Sequence, residues 1–133
     1  MKKAITSLLV VVCAVLTTSF VLPADKKSHV QQSKLRFDDY EIEIYNLADN
    51  VNFEVFFRSQ STGQLYSFVL QNGSDANGGL PQNELFTVWV TSNDPFHSYE
   101  MDACWENVEV DGPSVTNISV GPGCYQFYIH YNP

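Results

Sequence analysis

The sequence predicts an all-β fold: a single antiparallel β-sandwich of about seven short strands, immunoglobulin-like or jelly-roll-like, spanning residues 35–133. Three observations carry that expectation. From Leu35 onward the hydrophobic residues recur with a period of two, the signature of half-buried strands. Aromatic side chains make up 14% of the chain (nine Phe, seven Tyr, two Trp), and these favour strands over helices. Clusters of Gly, Asn, Asp, Ser and Pro interrupt the alternation at short intervals, as turns do. Beyond the first 24 residues no segment places apolar residues at i, i+3, i+4 and i+7 through three helical turns.

The first 24 residues read as a secretory signal peptide. Lys2 and Lys3 form a positive start, Ala4 to Leu16 an apolar run, and Thr17 to Ala24 a more polar exit with small residues. Cleavage after Ala24 exposes the charged start Asp25-Lys26-Lys27; Ser19 is the alternative position. An uncleaved anchor is disfavoured because Thr6, Ser7, Thr17, Thr18 and Ser19 dilute the apolar stretch. Cys13 lies inside that stretch, preceded by Val10-Val11-Val12 rather than by the small residue of a lipidation signal. The expected product is secreted or periplasmic, with no stable membrane span after cleavage. Residues 25–34 are polar and aperiodic and read as a flexible leader.

The strands follow in order. Tyr40, Ile42 and Ile44 alternate with Glu41, Glu43 and Tyr45. Val51, Phe53, Val55 and Phe57 alternate with Asn52, Glu54, Phe56 and Arg58. The short turn Asn46 to Asn50 between them suggests a hairpin. Leu65 to Leu70 forms the next strand, and Gln71 to Gln82 reads as the longest loop. Leu85 to Val90 is strongly strand-like. Tyr99, Met101, Ala103 and Trp105 share an apolar phase that Val108 and Val110 continue past an irregularity at Asn107. Val115 to Val120 is a short strand, and Cys124 to Tyr131 closes the domain with Tyr125, Phe127, Ile129 and Tyr131 on one face.

Removing the signal leaves two cysteines, Cys104 and Cys124, an even count that argues for a disulfide in an exported chain. Both fall on the polar phase of their strands, so the expected bond staples neighbouring strand ends rather than crossing the core. The loop it closes, about 21 residues, contributes about 3 kcal/mol by chain-entropy reasoning.

Charge and motifs exclude several functions. Fifteen acidic side chains oppose seven basic ones, and after signal removal five basic groups remain, a net charge of −10. Such a surface repels nucleic-acid phosphates. No Gly-x-Ser-x-Gly elbow is present, and neither cysteine has CxxC spacing. His29, His97 and His130 read as solvent-exposed imidazoles, with no local grouping that makes a metal site. Gly73 to Gly78 with Glu84 superficially matches an EF-hand, but Gly73 would stand where the first ligand is required. No cofactor is implied, although a calcium loop of another type stays open at Gln71 to Gln82.

Paired carboxylates occur at Asp38-Asp39, Glu41/Glu43, Glu100/Asp102 and Glu106/Glu109. Glycosidases hold two carboxyls about 5 to 9.5 Å apart, so a small exported hydrolase is one alternative. Alternate positions of any exposed strand produce the same spacing. A second alternative is a structural subunit of a cell-surface assembly, completed by strand addition. The expectation that ranks first comes from Tyr45, Phe56, Trp89 and Tyr128, which fall on nominally polar phases. Outward aromatics stack on sugars or anchor partner proteins. The expected function is therefore a non-enzymatic binding module for a protein surface or a glycan, of undetermined oligomeric state.

Overall fold

The structure, a computed structural model, describes residues 38–133. The signal segment, the leader and His29 lie outside the described residues.

Within them the chain is all-β. Its strands are β1 (Asp39–Asn46), β2 (Phe53–Ser59), β3 (Leu65–Leu70), β4 (Ala76–Pro81), β5 (Leu85–Ser92), β6 (Ser98–Ala103), β7 (Glu106–Glu109), β8 (Val115–Ser119) and β9 (Gln126–Asn132). They form a five-stranded sheet, β4-β1-β9-β6-β7, and a four-stranded sheet, β3-β2-β5-β8. The two sheets pack together in a sandwich-like arrangement. Period-two alternation explains why: one phase of each strand is apolar and turns inward, where burying a large side chain contributes about 1.5–3 kcal/mol. Ile42 and Ile44, Phe53, Val55 and Phe57, Phe86 and Val88, and Phe127 and Ile129 are all shut away from water. Phe57 of β2 sits at the centre, with Phe86, Phe68 and Phe127 edge-on to it. The Phe57–Phe127 contact, 5.3 Å between centroids, ties one sheet to the other.

Several expectations need correction. β1 and β2 do not form a hairpin; they belong to different sheets, and Asn46 to Asn50 is a crossover. Asn46 is buried there, giving its amide to the Val51 carbonyl and accepting from the Ala48 N–H, both at 3.0 Å. Nor is the sandwich wholly antiparallel, because β1 runs parallel to β9. The segment expected to be a long loop contains β4, which pairs with β1 through Gly78 and Gly79 despite their poor strand propensity.

The strand expected from Tyr99 to Val110 is a hairpin, β6 and β7, with Ala103 opposite Glu106. Cys104 takes the left-handed φ of 65° that its two-residue turn requires. The alternation therefore stops at Ala103, and Trp105 points into solvent, 70% exposed. Tyr125 precedes β9 and Tyr131 lies near its end, so both are exposed rather than part of the core. Cys124 is buried, because it belongs to a turn closed by mutual backbone hydrogen bonds with Gly121 and not to the polar phase of β9. Cys104 and Cys124 come to disulfide distance, Cα atoms 5.2 Å apart, at adjacent ends of β6 and β9.

Candidate interaction surface

Because inward positions fill the core, the side chains open to a partner or ligand are those on the outward faces and the rims. The four aromatic residues singled out in the sequence do point outward, and all four are half-buried. They form two separate pairs on opposite sides of the molecule.

On the five-stranded sheet, β1 and β9 place Tyr45 opposite Tyr128, and the rings stack at 5.0 Å. A polar network surrounds them. Glu43 accepts hydrogen bonds from the Tyr45 hydroxyl (2.7 Å) and the Gln126 amide (2.9 Å), and Tyr128 donates to Gln126. The Gln126 and Tyr45 bonds hold the Glu43 carboxyl below its usual pKa. Further along, His130 lies 3.3 Å from Asp102, and Asn132 donates to Glu100. Burial of the His130 ring opposes its charged form, but the Tyr131 carbonyl, Asp102 and Glu100 outweigh this and raise its pKa. This face is acidic, and its polar groups largely satisfy one another.

On the four-stranded sheet, Phe56 of β2 sits opposite Trp89 of β5, again stacked at 5.0 Å. The Arg58 guanidinium lies over the Trp89 ring, 5.2 Å from its centroid. Arg58 is the only Lys or Arg after residue 37, where 14 acidic residues occur. Leu65 and Val69 of β3 project on the same side, 48% and 39% exposed, and Leu85 of β5 is 45% exposed. Sequence reading missed these aliphatic residues as surface features. The signal was present, since both phases of Leu65 to Leu70 are apolar and a strand has only one inward face.

Ring geometry limits what either pair can do. Centroids 5.0 Å apart with planes 10° from parallel require overlapping faces. Each ring therefore spends one face on its neighbour, so neither pair lies flat as a two-ring platform for a sugar.

A third feature, not foreseen, occupies one rim. Ser92, Asp94, His97, Glu109 and Asp111 line an open depression of about 560 Å³ between the β5–β6 and β7–β8 connections. Asp94 accepts hydrogen bonds from the Phe96 N–H (2.8 Å), His97 Nδ1 (2.6 Å) and the Tyr99 hydroxyl (2.8 Å). These bonds, the Phe96 N–H foremost, hold its pKa down to about 2. The sequence hint was an Asp and a His three residues apart beside Pro95.

The carboxyls shifted clearly, Glu43 and Asp94, both move toward the permanent anion, opposite to the shift a general acid needs. Of the carboxylate pairs noted in the sequence, Glu41/Glu43 and Glu100/Asp102 occupy strand positions outside the depression, and only Glu109 lines it. Asp75 and Glu84 each bond to separate groups of the protein. Asp75 accepts the Asn46 N–H, and Glu84 accepts the Ser59 and Ser61 hydroxyls. Among the described residues no group of three His, Cys, Asp or Glu could hold a metal ion, and no helix is long and apolar enough to cross a membrane.

Comparison with family models, curated proteins and solved structures finds no match, so the functional argument rests on these surfaces alone.

Proposed function

We propose that this chain is an exported, non-enzymatic binding module that docks a protein partner on the outward face of its four-stranded sheet. The observation that carries the reading is the Phe56–Trp89 stack flanked by exposed Leu65, Val69 and Leu85. A sheet face that presents aromatic and aliphatic side chains on an otherwise acidic molecule is characteristic of a protein contact, and aromatic residues with Arg supply most of the energy in such contacts. Face-to-face ring stacking supports a protein over a glycan. The edge strands β3, β4, β7 and β8 run only four to six residues, and short edges discourage strand addition. A signal peptide over residues 1–24 and a Cys104–Cys124 bond agree with a secreted or periplasmic setting. Parallel pairing of β1 with β9 supports an immunoglobulin-like connectivity over an all-antiparallel jelly roll.

The test is to recover the protein that accompanies the natively processed chain and titrate it against wild type, Phe56→Ala and Trp89→Ala. A loss of affinity of about tenfold or more in both variants, with cooperative melting retained, is the expected result. Equal affinity in all three would remove this face from the function. A glycan that binds wild type but not Tyr45→Ala or Tyr128→Ala would move the function to the other sheet.

A further inference from the structure

On three strands of the four-stranded sheet, β3, β2 and β5, the middle of the outward face carries a pattern that reads alike in both directions. Strand register sets three rows across β3, β2 and β5. The middle row is Ser67, Phe56 and Trp89. On one side of it lie Leu65, Arg58 and Thr87, and on the other Val69, Glu54 and Thr91. Exchange the two flanking rows and every position meets its complement. Leu65 exchanges with Val69, both aliphatic and exposed; Arg58 exchanges with Glu54, opposite in charge; Thr87 exchanges with Thr91, both hydroxyl-bearing.

That exchange is what a two-fold axis performs when it lies in the interface and crosses the strands along the middle row. An isologous contact requires the same surface on both subunits to be self-complementary under that operation. We infer that the occupant of this face is a second copy of the same chain, docked sheet on sheet about an axis over Phe56 and Trp89. This rests on the reading that the face is the protein's contact surface and names its partner.

Each Arg58 then faces the partner's Glu54, giving two equivalent charge pairs around a central cluster of two Phe56 and two Trp89 rings. Leu65 of each copy meets Val69 of the other. Aligned sheets pack about 10 Å apart with a modest rotation from their twist, so β2 and β5 carry the contact. Charge also selects this face. Among the described residues Arg58 is the one Lys or Arg against 14 acidic residues, so this face alone offers such a cation to a second acidic copy. Here Glu54 and Arg58 cancel, and the Arg58 guanidinium is held over Trp89, beside the axis.

Sedimentation of the natively processed protein over a concentration series tests the inference. Wild type should be a dimer that dissociates on dilution. Arg58→Glu sets acidic residues against acidic residues at both pairs, and Glu54→Arg sets cations against cations. Each should raise the dissociation constant by about tenfold or more. The double variant E54R/R58E restores opposite charges and should recover affinity to within about threefold of wild type. The two single variants, mixed in equal amounts, should pair with each other in preference to themselves. Circular dichroism and melting temperature check that every variant folds.

A wild type that stays monomeric throughout overturns the second copy, as does a dimer indifferent to either single reversal or a double variant that fails to recover. A monomer whose different partner is lost in Trp89→Ala overturns only this inference. A dimer unaffected by Phe56→Ala and Trp89→Ala overturns the contact face as well.

Discussion

Phe68 of β3 lies so close over Gly78 of β4 that a Cβ built on Gly78 would stand 2.6 Å from the ring carbon Cε1. The two strands follow each other in the chain but belong to different sheets, so this contact closes one side of the sandwich. Phe57 packs edge-on against the same ring, which limits its room to retreat. Gly78→Ala should therefore destabilise the domain by about 1–3 kcal/mol. Urea denaturation reads the loss, and Phe68→Leu in the same chain should return part of it. An unchanged midpoint for Gly78→Ala would mean that the ring moves aside freely.

The crossover from β1 to β2 depends on Asn46, whose buried side chain serves the Val51 carbonyl and the Ala48 N–H. Asn46→Ala leaves both backbone groups without partners at a buried site, a cost of about 1–3 kcal/mol. Asn46→Asp keeps an acceptor for Ala48 but loses the donor to Val51, and it should be impaired as well. If both variants melt with wild type, water has replaced these bonds and the residue does not organise the crossover.

These two sites also show what the sequence made legible and what it did not. Alternation identified the buried phases of β1, β2 and β5 because each strand has one apolar side. It could not say which sheet a strand joins, since a hairpin and a crossover both need a short polar connection. The pairing of β1 with β4 and β9, and of β2 with β3 and β5, distinguishes them. β4 escaped notice because Phe68 requires Gly78 to lack a side chain, and the residue that suits the packing hides the strand. The Tyr45–Tyr128 and Phe56–Trp89 pairs arise from register between strands 83 and 33 positions apart, which no local pattern encodes. The outward direction of the four rings was legible; their partners were not.

Cys104 and Cys124 fasten the turn of the β6–β7 hairpin to the approach of β9, with β8 contained in the loop between them. Since β6 already pairs with β9, the bond limits the unfolded chain more than it reshapes the folded one. Reduction should lower the melting temperature by roughly 10 °C or more, from about 3 kcal/mol in a domain of this size. The β-type circular dichroism should persist at moderate temperature, and Cys104→Ser/Cys124→Ser should match the reduced protein. Two reactive thiols in the unreduced protein would defeat the prediction.

Asp94 contributes to the response to acid. Its carboxylate takes hydrogen bonds from the Phe96 N–H, His97 and the Tyr99 hydroxyl, and its pKa in the folded state falls to about 2. In an unfolded chain an aspartate titrates near about 3.9. A depressed folded value stabilises the fold in full above the unfolded pKa and loses that stabilisation as pH falls through the folded one. The contribution should therefore fade between about pH 4 and pH 2. Tyr99, at the other end of the contact, is pushed up to about 12, first by burial and then by its bond to Asp94. Its neutral phenol stabilises the fold below about pH 10, and that stabilisation is lost as pH climbs through about 12. Asp94→Asn removes one cause at each end. Denaturation midpoints should then flatten across the acid window, and the Tyr99 phenol should titrate earlier, though still later than an exposed tyrosine because burial remains. Acid limbs that coincide in wild type and variant would show that these three hydrogen bonds do not hold the carboxylate in solution.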